Sequence, residues 1–154
     1  MIKIVAYKSS YQDGIDKMMK KIASEFDEPI FPKVTIKKPC IPDKYWVAIN
    51  NEEIIGTVGI ITLENDFGVL KNMMVKKKYR GKAFGISKLL LETAIHWLNE
   101  NRISKLYLGT MHQFKVAQSF YEKNEFNRIL EDQLPYNFSK NPLDKVFYVK
   151  YLNI

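Results

Sequence analysis

Residues 69–86, VLKNMMVKKKYRGKAFGI, pass from an apolar stretch through a basic turn to Gly81 and Gly85, which stand before a long amphipathic segment. That order reads as strand, loop and helix start, a place suited to phosphate. The first N–H groups of a helix lack intrahelical partners and lie at the positive end of its dipole, so an anion bound there answers both. Glycine lets the backbone approach a ligand with no Cβ in the way. The plain alternative is a solvated turn in which Lys76, Lys77, Lys78, Arg80 and Lys82 face water. Coincidence favours the anion site: two glycines four apart, five cations within seven residues, and a helix directly behind them. The loop is not a Walker P-loop, since no Gly-Lys-Ser/Thr follows the glycines. Nor is it a dinucleotide fingerprint: Ala83 occupies the place of the second glycine, and no acidic residue about 20 positions on closes a second strand.

Working outward, residues 2–7 read as a strand, and Ile15, Met18, Met19, Ile22, Ala23 and Phe26 mark one face of a helix over 11–26. Pro29, Pro32, Pro39 and Pro42 make 27–43 an extended connection. Strands at 45–50 and 54–63 form a hairpin through Asn51-Glu52-Glu53, and a third antiparallel strand at 69–75 follows a turn at Asn65-Asp66. The helix behind the glycine loop spans 84–101, with Ile86, Leu89, Leu90, Ala94, Trp97 and Leu98 at helical spacing. A strand at 105–110, a helix at 113–124 and strands at 128–132 and 146–152 complete the chain, with a loop over 135–142. The expectation is one α/β domain over residues 1–154, its sheet mixed but largely antiparallel and its helices on both faces.

A chain of 154 residues with 46% hydrophobic content can bury a core without covalent staples. One cysteine, Cys40, gives neither a disulfide framework nor a thiolate cluster, and two isolated histidines, His96 and His112, do not suggest a metal site. The N-terminal stretch MIKIVAYKSS lacks the apolar core of a signal peptide, and no apolar run reaches the roughly 18 residues of a membrane span; the expectation is cytoplasmic, with no membrane partner. A net charge of +7 raises nucleic acid as a partner. The lysines are scattered, however, and the dense cluster at 76–82 suits a small phosphorylated ligand equally well.

Together these parts resemble the GNAT superfamily of acyl-CoA-dependent N-acetyltransferases over nearly the whole chain. The phosphate motif Arg/Gln-x-x-Gly-x-Gly/Ala is met by Arg80-Gly81-Lys82-Ala83-Phe84-Gly85, with Ala83 where glycine is usual. The stretch AQSFYEKNEF at 117–126 is similar to the family's A-x-x-x-Y-E-K-x-G-F, with Glu125 where glycine is usual. The resemblance implies that the central strands splay apart for CoA. Met73, Met74 and Val75 would offer backbone groups to the pantetheine arm, and the loop from Arg80 and Gly81 through Lys82, Ala83, Phe84, Gly85 and Ile86 would cradle the pyrophosphate. It implies acetyl-CoA as co-substrate and a small-molecule or peptide amine as acceptor, with no metal; a homodimer is compatible with it.

Acetyl transfer to an amine needs a neutral amine, a stabilised oxyanion and a proton for the departing thiolate. Tyr121 stands where the family places its general acid, although as a sequence position it equally reads as one more aromatic on the apolar face with Phe120. The strand before the loop carries no glutamate around Val69-Leu70-Lys71-Asn72, which leaves the base open among Glu25, Glu28, Glu64, His112 and solvent. The acceptor is expected between 27–43 and 135–142, with Tyr136, Phe138 and Trp46 as an apolar wall. The departures at Ala83 and Glu125, and the absent glutamate, also leave room for a catalytically weak or inactive CoA-binding sensor.

Overall fold

Apolar residues at helical spacing do form a helix, α1, over Gln12–Ala23, burying Ile15, Met18 and Ile22. It stops three residues before Phe26, whose N–H turns back to the Ala23 carbonyl. The computed structural model describes residues 1–30, 41–64, 66–81, 85–138 and 140–152. Most of the proline-rich connection, with Cys40, and the turn residue Asn65 therefore lie outside the described residues.

The strands are β1 (Ile2–Ala6), β2 (Lys44–Asn50), β3 (Glu53–Leu63), β4 (Phe67–Val75), β5 (Lys105–Thr110), β6 (Asn127–Ile129) and β7 (Val146–Tyr151), with α2 at Ile86–Glu100 and α3 at Lys115–Lys123. They build a seven-stranded sheet in the order β1-β2-β3-β4-β5-β7-β6. Among the described residues its pairings are antiparallel except β4 with β5. The β2–β3 turn is tighter than the sequence suggests. Asn51 and Glu52 alone make it, at φ 49° and 72°, with Asn50 opposite Glu53; two positive-φ residues match the twist of the flanking strands. Strand β6 ends at Ile129 because the Leu130 N–H donates to the Gln133 side chain at 2.7 Å, opening a 3-10 turn where strand was expected.

Strand alternation sorts the core into two layers. Tyr45, Val47, Ile49 and Ile54 face α1, whereas Ala48, Ile55, Val58, Ile60, Leu70, Leu106, Leu108 and Tyr148 face α2 and α3. Helices thus cover both faces of a mixed, largely antiparallel sheet. Among the described residues no helix is long and apolar enough to cross a membrane.

Candidate active site

The parallel ladder between β4 and β5 is short. It joins Phe67, Gly68 and Val69 to Lys105, Leu106 and Tyr107 and then stops, although β4 runs on to Val75 and β5 to Thr110. Beyond that point β4 is held by β3 and β5 by β7. Among the described residues each strand therefore turns one unpaired edge toward the other, a slot into which an extended chain can hydrogen-bond.

A bulge helps to open the slot. The β3–β4 register shifts between Thr57 opposite Met74 and Gly59 opposite Lys71, and Asn72 takes φ 50°. The buried Thr57 hydroxyl donates to the Asn72 carbonyl at 2.6 Å, and the Asn72 amide reaches the Tyr45 hydroxyl at 3.4 Å. Burial pushes the Tyr45 phenol above its usual range, so it stays neutral there. Past the bulge, Met73 packs toward the α2 face and Met74 toward the α1 face, with Val75 buried at the strand's end.

The basic loop is more tied down than a solvated turn would be. Arg80 makes a bidentate pair with Glu25 at 2.6 and 3.0 Å, and its Nε–H donates to the Val75 carbonyl at 2.8 Å. The sequence-predicted binding residue Arg80 thus spends its guanidinium on anchoring the loop to the end of α1. Glu25, one of the candidate bases, is held in the same pair. Lys76 is paired with Glu53 at 2.5 Å, which holds that carboxyl below its usual range. Lys77 and Lys78 are exposed. Gly81 and Gly85 take φ 106° and 61°, left-handed conformations that favour glycine, and Gly85 is the α2 N-cap, with no side chain among the described residues capping the helix. Among the described residues the first-turn N–H groups thus have no side-chain acceptor, which suits them to an outside one. Ile86 buries its side chain in the core. Lys82, Ala83 and Phe84 lie outside the described residues.

Tyr121 is buried on the face of the sheet opposite α1, its ring against Phe120, Phe126 and Tyr148. The motif around it is a helix end. The Phe126 N–H donates to the Tyr121 carbonyl at 3.0 Å and the Glu125 N–H to the Glu122 carbonyl at 3.3 Å, with Glu125 left-handed at φ 68°. These are the two bonds of a Schellman motif, and the contact between Tyr121 and Phe126 is its hydrophobic partner. Burial first, then the neighbouring Asp144 and Tyr148, pushes the Tyr121 phenol well above its usual range, so it holds its proton at neutral pH.

The remaining expected acceptor-side residues do not converge on one wall. Trp46 faces α2, where it meets Trp97 edge-on at 6.3 Å. The alternation that turns Tyr45 and Val47 toward α1 turns Trp46 away, so it is removed from the wall. Tyr136 is 85% exposed, with its hydroxyl 3.5 Å from Glu64. His112 pairs with Glu28 at 3.1 Å on the surface. Phe138 meets Phe147 of β7 and does stand near the split, with the Lys71 ammonium over its ring. A further residue, Asp144, was not singled out by sequence. It is buried beside Gly109 of β5, and burial raises its carboxyl above the usual range. Its only sequence signal is a carboxylate in the apolar approach to β7.

An open-edged slot leading to a helix start whose N-cap is glycine fits an extended, anion-bearing ligand, with a neutral phenol on one side of the sheet and a carboxylate on the other. Residues 42–128, more than half of the chain, match the acetyltransferase (GNAT) domain family. The chain belongs to that family. An uncharacterized N-acetyltransferase of Bacillus subtilis, YobR, is 27% identical over 90 residues, which are 58% of this chain and 36% of that protein. The crystal structure of a GNAT-family acetyltransferase from Staphylococcus aureus Mu50 superposes with a TM-score of 0.87 at 31% identity, covering 99% of this chain and all of the other. An N-acetylglutamate synthase from Neisseria gonorrhoeae, solved with coenzyme A and N-acetylglutamate, shares the fold at TM-score 0.76 and 14% identity; all of this chain aligns with 36% of it.

Proposed function

We propose that residues 1–154 act as one domain that transfers an acetyl group from acetyl-CoA to a primary amine of a small molecule or peptide, by direct attack while both are bound. The observation that carries this reading is the split: β4 and β5 part after Val69 and Tyr107, and the bulge at Asn72 follows at once. The open edge at Met73, Met74 and Val75 is suited to the amides of a pantetheine arm. The Gly81–Ile86 loop, with Gly85 opening α2, is suited to the pyrophosphate. Arg80 contributes by fixing the loop through Glu25.

Tyr121 is the proton donor for the departing sulfur. A phenol shifted upward by burial holds its proton until the leaving group demands it. Phe126 and Tyr148 fix its ring, so its direction is set before substrate arrives. The test is a melting curve with saturating acetyl-CoA, which must rise if the native fold binds it. An unchanged curve refutes the proposal.

A further inference from the structure

We propose that Asp144 is the group that takes the proton from the acceptor's ammonium, acting from the Gly109 face of the split. The inference rests on the acetyl-transfer reading above and supplies the base that it lacks.

Its first support is position. A Cβ built on Gly109 would lie 2.6 Å from Asp144 Oδ2 and 3.0 Å from its Cγ, so the carboxylate lies directly over the β5 backbone. Gly109 is beyond Tyr107, the last β5 residue paired with β4, so the strand under the carboxylate is one whose β4-facing edge is open. Gly109 also alternates with Leu106 and Leu108, which face α2 and α3, and so puts Asp144 on the other side of the sheet from Tyr121. Donor and acceptor of protons then flank the split from opposite faces.

The second support is that the carboxylate is held but not neutralised. Asp144 is 5% exposed, and none of the ion pairs among the described residues includes it. The Asp144 N–H donates to the Asn141 carbonyl, the Leu143 N–H to the Asn141 side chain, and the Lys145 N–H to the Thr110 carbonyl, which together fix the turn that carries it. The charged and titratable groups that act on it are Lys71 of β4, Lys140 of the preceding loop and Tyr121 of α3; Phe147 of β7 flanks it without charge. Burial raises its proton affinity, which the two lysines and the Asn141 backbone only partly offset. A buried carboxylate whose charge is only partly offset lowers stability, and such groups cluster where chemistry uses them.

The step balances. R–NH3⁺ gives one proton to the Asp144 carboxylate, and the free amine attacks the thioester carbonyl, forming the C–N bond. The C–S bond breaks as sulfur takes the Tyr121 proton, and the nitrogen's surplus proton returns to the Tyr121 oxygen. Asp144 then releases its proton to water, and the products are the acetamide and CoA thiol.

The test uses purified chain and acetyl-CoA, with free-thiol release measured against a panel of primary amines and against hydroxylamine, which is largely unprotonated at neutral pH. Asp144→Asn should lower turnover of panel amines at pH 7 by about 100-fold or more and make the rate climb with the free-amine fraction. Hydroxylamine turnover should fall less than threefold. Gly109→Ala, which drives a Cβ into the carboxylate without removing it, should show the same split. Losses under threefold on panel amines, or equal losses on both nucleophiles, overturn the proposal. Melting curves decide it independently of any acceptor. A carboxyl whose folded pKa is raised favours folding below its unfolded pKa and loses that contribution as pH rises through the folded one, so Asp144→Asn should match or exceed the parent's melting temperature at pH 8. A lower one there overturns the role, marking the carboxylate as structural. Failure of acetyl-CoA to raise the parent's melting temperature would instead refute the acetyl-transfer reading, and the two failures are distinct.

Discussion

Replacing Glu125 with glycine should stabilise the fold while leaving Tyr121 where it is. Glu125 takes φ 68° as the residue that turns the chain out of α3, between the N–H of Phe126 on the Tyr121 carbonyl and its own N–H on the Glu122 carbonyl. A side chain in that left-handed conformation costs roughly 1–2 kcal/mol. Glycine removes this cost but gives back about 0.5–1 kcal/mol through the freedom it adds to the unfolded chain. The carboxylate itself counts for little: it is 89% exposed and 3.8 Å from the Lys150 ammonium, a surface pair of about 0–1 kcal/mol. The balance is a gain of about 0.5–1 kcal/mol, which for a chain of this size raises the melting temperature by about 1–4 °C. Denaturant unfolding should show a higher midpoint at unchanged slope. Glu125→Ala is the control, since it removes the carboxylate and keeps the left-handed strain, and it should gain nothing. A Glu125→Gly protein that melts below the parent, or an alanine variant that matches the glycine one, would refute the reasoning.

Tyr121→Phe should slow acetyl transfer by about 10²–10⁴-fold while leaving the melting shift with acetyl-CoA intact; a loss under threefold removes the phenol from the chemistry. Because burial raises the phenols of Tyr121 and of Tyr148, the latter to about 12, both favour folding below the ordinary tyrosine range and lose that contribution as pH rises through their folded values. Tyr148→Phe should accordingly flatten the fall in melting temperature above pH 10, although it also gives up the 2.7 Å bond to Glu122. Glu25→Gln strips the bidentate partner from a part-buried Arg80, and should lower stability by about 1–3 kcal/mol and weaken acetyl-CoA binding through the loosened loop; equal acetyl-CoA affinity in titration calorimetry would show that Arg80 does not organise the loop. Gly85→Ala puts a Cβ at φ 61° and should weaken acetyl-CoA binding, with an overall stability loss of about 1–2 kcal/mol.

What was readable in the sequence was local. The period of 3.6 around Ile15, Met18 and Ile22 names α1, and glycines before Ile86 name the start of α2, because helix faces and helix ends depend on neighbours within a turn or two. The split was expected only through family resemblance, since nothing in Val69 or Tyr107 says that a ladder ends there. Whether two strands pair is decided by what holds their other edges, here β3 and β7. The bulge is similar: Asn72 tolerates φ 50°, but it is Thr57, fifteen residues away, that secures it. Arg80 illustrates the cost of reading a motif as a list of ligands. Its place in the phosphate motif was legible, while its partner Glu25 lies 55 residues earlier and is visible only once α1 is docked on the sheet. Asp144 reverses the case. In sequence it is one acid in a loop, and it becomes a candidate base only because β5 has a glycine beneath it and no β4 beside it. A base supplied from the approach to β7 also accounts for why β4 can do without a glutamate: both strands border the same opening, so the carboxylate is able to reach it from either side.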